Sequence, residues 1–183
     1  MNPTLYFLRS TEQKIANDML RFAYRLDDIG KNLEDFEQLE IYNKHYGLSA
    51  KDLGLYALSE HTIAGGAWLR TLKKDDNANA YIDDKTPILT IAVKPEFRGK
   101  GIGSAILEQL FLEAGALYEH ISVSVLNNEK TVKYFEKFGF TKVENSKGKS
   151  PIDGAEVLTM IKKISEERVV RPTDGYDPRR WMD

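Results

Sequence analysis

The stretch from Ile91 to Ser104 constrains this chain more than any other. Ile91-Ala92-Val93 is β-branched and apolar, Lys94-Pro95-Glu96-Phe97 follows, and Arg98-Gly99-Lys100-Gly101-Ile102-Gly103-Ser104 leads into an apolar helical pattern that runs to about Leu117. A strand therefore enters a loop with three alternate glycines, and the loop opens a helix. Glycines let successive backbone amides converge without Cβ obstruction. A helix start adds unpaired N–H groups and about half a positive charge. Together they form an anion site suited to a pyrophosphate, with Arg98 and Lys100 as mobile cationic cover.

Two common phosphate loops fail here. No G-x-x-x-x-G-K-[ST] string occurs. A G-x-G-x-x-G loop counted from Gly99 ends on Ser104, and counted from Gly101 it ends on Ile106. The next strand pattern, Ile121–Leu126, runs into Asn127-Asn128 and offers no carboxylate for a ribose diol, which disfavours a nucleotide redox cofactor.

The rest of the chain supplies a fold around this loop. Thr4-Leu5-Tyr6-Phe7-Leu8 reads as a buried strand, and Ser10 with Gln13 has capping-box spacing before the helical period of Ile15, Met19, Phe22 and Leu26. Leu33, Phe36, Leu39, Tyr42 and Tyr46 predict a second helix that stops at Gly47. Gly54–Leu58 and Ile63–Leu72 flank a hairpin turn at Ser59-Glu60-His61-Thr62, residues 73–84 form a polar loop, and Pro87–Val93 is a short buried strand. After the long helix come a strand at Ile121–Leu126, a helix at Asn128–Phe138, and a final strand pair, Phe140–Val143 with Glu156–Lys162. The order β-α-α-β-β-β-α-β-α-β-β predicts an α/β (α+β) chain: a mixed, twisted central sheet with helices on both faces and a parallel crossover after Pro87. At 183 residues this is one domain, residues 1–164, with an appended arm, 165–183, whose Tyr176 or Trp181 is expected to pack on the domain or on a homodimer partner.

Composition removes several classes of function. With 26 Lys and Arg against 28 Asp and Glu, the net charge of −2 offers no global field for nucleic acid or an anionic membrane. No cysteine means no disulfide framework, thiolate metal site or acyl-cysteine intermediate. His45, His61 and His120 lie too far apart for a short metal-binding pair, so no metal is expected. Neither a signal peptide nor an apolar run near the ~20 residues of a membrane span is present, and a cytoplasmic protein is expected.

Val93-Lys94-Pro95 followed by Arg98-Gly99-Lys100-Gly101-Ile102-Gly103 fits V-x-P and Q/R-x-x-G-x-G/A, and residues 128–140 fit N-x-x-A-x-x-x-Y-E-K-x-G-F in part, through Asn128, Glu136-Lys137 and Gly139-Phe140. One helix and one strand separate the two motifs. Across about residues 4–164 the chain resembles the GNAT superfamily of acetyl-CoA-dependent N-acetyltransferases. The resemblance implies an acetyl group passed from acetyl-CoA directly to an amine in a ternary complex. It implies that backbone groups of Ile91 and Val93 bind the pantetheine arm and that the amides from Arg98 through Gly99, Lys100, Gly101, Ile102 and Gly103 to Ser104 hold the pyrophosphate. It also implies that Asn128 helps place the cofactor, and that the strands of Val93 and Ile121–Leu126 splay to admit it.

One position departs from the pattern: the tyrosine that commonly protonates the leaving thiolate falls on Phe135, and Tyr134, about 100° around the helix, points elsewhere. Phe135 keeps its place in the cofactor wall but cannot donate a proton. The strand start where such proteins often carry a glutamate holds Lys85, Thr86 and Pro87, with Asp83 and Asp84 upstream and His120 opening the next strand, so no general base or acid is assigned. Acceptor specificity is expected from the first two helices and the loops 73–84 and 144–155. The acidic run Asp27, Asp28, Glu34, Asp35, Glu37 and Glu40 reads either as a solvated face or as an attraction for a cationic amine. The alternative is a catalytically silent GNAT-fold module that binds acyl-CoA as a sensor or partner protein. An aromatic RNA-binding sheet is disfavoured by the charge balance and the core-periodic aromatics.

Overall fold

Period-2 alternation in the central strands divides the molecule into two layers. The computed structural model describes residues 2–164, so the arm at 165–183 lies outside the described residues. Its strands are β1 (Thr4–Phe7), β2 (Leu53–Ser59), β3 (Thr62–Arg70), β4 (Ile88–Val93), β5 (His120–Leu126), β6 (Thr141–Lys142), β7 (Gly148–Lys149) and β8 (Glu156–Lys163). The helices are α1 (Gln13–Ala23), α2 (Ile102–Ala114) and α3 (Glu129–Glu136). One eight-stranded mixed sheet runs β1-β2-β3-β4-β5-β8-β6, with β7 also on β8. Every pairing is antiparallel except β4 with β5.

On one face, Leu89 of β4 and Val123 and Val125 of β5 pack with Ile106 and Leu110 of α2 and Val132 and Phe135 of α3. On the other, Ile88 and Ala92 of β4 join Trp68, the Met19 and Leu20 of α1, and Leu39 and Tyr42. Burying one such aliphatic side chain contributes about 1.5–3 kcal/mol. The sheet is therefore sandwiched between helical layers, and its central strands are sided.

Three expectations need correction. The second helix is absent: Leu33–Asp35 and Glu37–Tyr42 are 3-10 turns instead. Their anchors are side chains from β3. Trp68 Nε1 donates to Tyr42 O at 2.7 Å, and Arg70 grips Asp52 with Nη2–Oδ2 at 3.1 Å while Nη1 donates to Lys44 O at 2.6 Å. Next, β1 is an edge strand and not a buried one. Among the described residues it pairs only with β2, and Tyr6 and Phe7 are exposed, the Tyr6 ring stacking on Tyr56. Last, the first helix starts differently. Residues 10–12 form a 3-10 turn, and the Arg9 N–H donates to Glu12 Oε1 at 3.3 Å. Gln13 is drawn away by tertiary partners, its Nε2 donating to Asn17 Oδ1 at 3.0 Å and its Oε1 accepting from the Tyr46 N–H at 3.1 Å.

The hairpin between β2 and β3 turns on Glu60 and His61, at φ 51 and 63, the left-handed pair that a two-residue loop demands.

Candidate active site

The parallel pair β4–β5 is joined only at its beginning. Ile88 lies opposite Ser122, the Ser122 N–H donates to Pro87 O at 3.0 Å, and the Ser122 hydroxyl donates to Ala80 O at 2.7 Å. Past this apex the strands separate, and a cavity of about 330 Å³ occupies the wedge.

Backbone direction alternates along a strand, which fixes what faces the wedge. The Lys94 N–H donates back to Ala64 O at 2.8 Å, so the even-numbered residues of β4 bond toward β3. Pro87 O points to β5, and Leu89, Ile91 and Val93 follow it, presenting N–H and C=O groups to the opening. By the same rule Ser124 and Leu126 face it from β5. An unzipped edge of this kind accepts an extended chain as an added strand. Side chains alternate too: Ile91 and Val123 line the α2/α3 side, while Thr90 and Ser124 place hydroxyls on the α1 side.

The glycine loop sits where β4 ends. Pro95–Phe97 form a 3-10 turn, and Gly99 and Gly101 follow at φ +74 and +80, with open space where a Cβ would stand. Their requirement is conformational, not steric. Gly101 caps α2, whose first-turn amides at Ile102, Gly103 and Ser104 have no acceptor within the helix. Gly103 differs from the other two: a Cβ there would stand 3.0 Å from the Tyr134 hydroxyl and 3.5 Å from Val93 Cγ2. Arg98 folds back so that Nε donates to Val93 O at 3.0 Å, and Lys100 Nζ rests 5.6 Å from the centre of the Phe97 ring. Asn128 caps α3, its Oδ1 accepting from the Thr131 N–H at 2.8 Å.

Phe135, buried, and Thr131 project from α3 into the cavity wall. Tyr134 points instead toward the first turn of α2, hydrogen-bonded to the Ser104 hydroxyl. Half-burial raises its pKa, and the Ser104 contact only partly offsets that, so the phenol stays protonated at neutral pH.

Asp83 is committed elsewhere. Burial acts to raise its pKa, but the Lys85 and Thr86 N–H groups, both donating at 2.8 Å, win and lower it, so it caps the turn into β4. Asp84 accepts from the Tyr81 hydroxyl, and His120 is not part of the cavity lining. The charged side chains that do line the cavity are Arg25, just past α1, and Asp153, in the loop before β8. Tyr24 and Tyr42 stand beside them with rings 6.0 Å apart, both phenols pushed up by burial and hydrogen-bonded to each other. No sequence motif marks Tyr24, Arg25, Tyr42 or Asp153 as site residues. Only the fold brings them together. Among the described residues no cluster of three or more His, Asp or Glu could hold a metal, and no helix is long and apolar enough to cross a membrane.

A family model described as an acetyltransferase (GNAT) domain matches residues 51–142, which spans β2 through β6 and both motifs. The chain belongs to the GNAT acetyltransferase family. Solved GNAT structures share its fold. One is an acetyltransferase of the GNAT family from Streptococcus pneumoniae, 18% identical, covering 89% of this chain and 99% of its own, with a TM-score of 0.63. Another is a GNAT superfamily phosphinothricin acetyltransferase from Sinorhizobium meliloti in complex with acetyl-CoA, 18% identical over 97% of each chain, TM-score 0.63. A chimera of the Vibrio cholerae spermidine N-acetyltransferase SpeG with hSSAT is 16% identical, covering 91% of this chain and 98% of its own, TM-score 0.61. No curated protein sequence matches the chain. At these identities the GNAT structures speak for the fold, and the family model supports acetyl transfer from acetyl-CoA in general terms.

Proposed function

We propose that this protein acetylates an amine directly, with acetyl-CoA and acceptor bound together. The observation that carries the reading is the unzipped β4–β5 edge ending in a glycine loop at a helix start. It offers an extended thioester arm a strand to pair with and its phosphates a set of free amides. In this reading Ile91 and Val93 pair with the pantetheine arm. The amides from Arg98 to Ser104 hold the pyrophosphate, with Arg98 and Lys100 as cover. Asn128 positions the arm, and Phe135 walls the thioester. The amine lone pair attacks the thioester carbonyl while backbone N–H groups stabilise the developing oxyanion. The C–N bond forms, and the C–S bond breaks with its electron pair on sulfur. Nitrogen gives a proton to water, and the thiolate, with an ordinary thiol pKa, takes one back without a phenol at Phe135. Acetyl-CoA and a neutral amine thereby become an amide and CoA.

A second reading, a silent acyl-CoA-binding module, is favoured by Phe135 and by the commitment of Asp83 to its turn. Thiol release from acetyl-CoA over a panel of amines, with calorimetry of CoA binding, separates the two. Steady release with any amine supports the enzyme. Tight CoA binding without release on every amine supports the module. Replacing Gly101 with leucine should weaken CoA binding at least tenfold, and unchanged affinity would remove the anion-site assignment.

A further inference from the structure

The wedge is lined from both faces of the sheet, and its α1 side is chemically different from its α2/α3 side. The side facing α2 and α3 is apolar, with Leu89, Ile91, Val123 and Phe135. The side facing α1 carries the Thr90 and Ser124 hydroxyls, the neutral Tyr24–Tyr42 pair, and one side chain of each charge, Arg25 and Asp153.

Arg25 is exposed at the cavity rim and is one of seven described non-glycine residues with positive φ. Its backbone is left-handed, φ 54 and ψ 36, at a helix end where glycine would sit without strain. Both backbone groups are fixed: its N–H donates to Phe22 O and its O accepts from the Asp28 N–H, each at 3.1 Å. Among the described residues no hydrogen bond or ion pair reaches its guanidinium. A guanidinium fork without a protein partner is matched in shape to a carboxylate. Asp153 has its Oδ1 fixed by the Ala155 N–H at 2.9 Å, and its second oxygen has no partner among the described residues.

We infer that the acceptor is a small amino carboxylate, its carboxylate held by Arg25 and its ammonium drawn in by Asp153, the ammonium giving its extra proton to water before the neutral amine attacks. This rests on the acetyl-transfer reading above and narrows its amine. A linear polyamine would bring only positive charge against Arg25. A lysine side chain or amino terminus within a polypeptide carries no carboxylate beside its nitrogen. An α-amino acid carries both charges, matching the two signs that line the cavity.

The test uses the full chain with saturating acetyl-CoA. Amino acids such as leucine, methionine and phenylalanine are compared with their decarboxylated amines, with spermidine, and with a lysine peptide. Thiol release gives kcat and KM, and calorimetry gives amino-acid affinity for the protein bound to desulfo-CoA. The best amino acid should exceed its decarboxylated analogue about tenfold or more in kcat/KM, as expected for a charge-assisted contact. Arg25→Gln should raise KM for amino acids at least tenfold, with a much smaller effect on decarboxylated amines, and Arg25→Lys should recover part of the loss. Arg25→Gly removes the strain together with the side chain, so it should melt higher than the parent and still lose amino-acid binding, which separates recognition from misfolding.

Preference for spermidine or the peptide over every amino acid overturns the inference while leaving acetyl transfer in place. So does an Arg25→Gln loss that is equal for all amines. If the parent releases no thiol with any amine, the acetyl-transfer reading fails instead, and Arg25-dependent calorimetric binding still decides the subsite. Absence of that binding overturns it.

Discussion

Gly103 and Tyr134 share one contact, and its sign can be reversed. A methyl at Gly103 would sit 3.0 Å from the Tyr134 hydroxyl, tighter than side chains normally approach. Alanine at this helical position also gains roughly 0.5–1 kcal/mol of backbone entropy over glycine. Removing the hydroxyl has opposite consequences in the two backgrounds. In the parent, Tyr134→Phe loses the Ser104 hydrogen bond, about 0.5–1.5 kcal/mol, and should lower the melting temperature. In a Gly103→Ala background it opens room for the new methyl and should raise it. A double-mutant cycle read by thermal melting checks this, and additive effects would show that the contact is not felt. The glycines of this loop were legible in the sequence because glycine is informative at a strand-to-helix turn. Arg25 was not. Its interest lies in a left-handed backbone and in segments distant along the chain that face it, neither of which residue type or spacing encodes.

Among the elements, the β2–β3 hairpin carries a removable strain. Both central residues of its turn have positive φ, yet they are Glu60 and His61 rather than the asparagine and glycine that adopt this geometry most readily. The double substitution Glu60→Asn with His61→Gly should stabilise the fold by about 1 kcal/mol, a rise of roughly 2–4 °C in a chain of this size. Thermal melting reads it, and a drop would mean that the turn side chains contribute more than their strain. The hairpin was evident from polar residues between two alternating runs. The second helix was misread for a definable reason. Leu33, Phe36, Leu39 and Tyr42 recur every three residues, and a strict three-residue spacing suits the 3-10 turn at least as well as the 3.6-residue α-helix. Trp68 and Arg70 then hold those turns from β3, a tertiary choice that local pattern does not announce. β7 is only two residues long and gives no periodic signal.

The molecule as a whole has a titration that follows from where its tyrosines lie. Burial raises the pKa of Tyr24, Tyr42 and Tyr46 above 10.0, and it pushes Tyr118 up to about 12. An unfolded tyrosine loses its proton near pH 10, and these folded ones lose it later. Above pH 10 the unfolded chain therefore binds fewer protons than the folded one, and stability falls as pH rises. The contribution is complete below about pH 10 and is lost as the pH climbs toward 12. Urea midpoints measured from pH 9 to 11.5 should fall more steeply for the parent than for a Tyr24→Phe, Tyr42→Phe variant. Parallel curves would mean that those phenols titrate normally. At this scale the mixed sheet, its helical layers and the crossover after Pro87 were all readable from element order. The width of the opening was not, because alternation tells which way a strand faces and not how far it stands from its neighbour.

That opening is lined from both faces of the sheet. One side is walled by Thr131 and Phe135 of α3 and the other by Tyr24 and Arg25 beside α1. Two reactants that arrive through separate doors need not queue. Either can be seated first, and a spent carrier can back out on its own side while the new amide leaves on the other. If the proposed acetyl transfer holds and the two reactants use opposite faces, no obligatory order of entry is imposed, and initial-rate plots with both reactants varied should intersect in a random-order pattern.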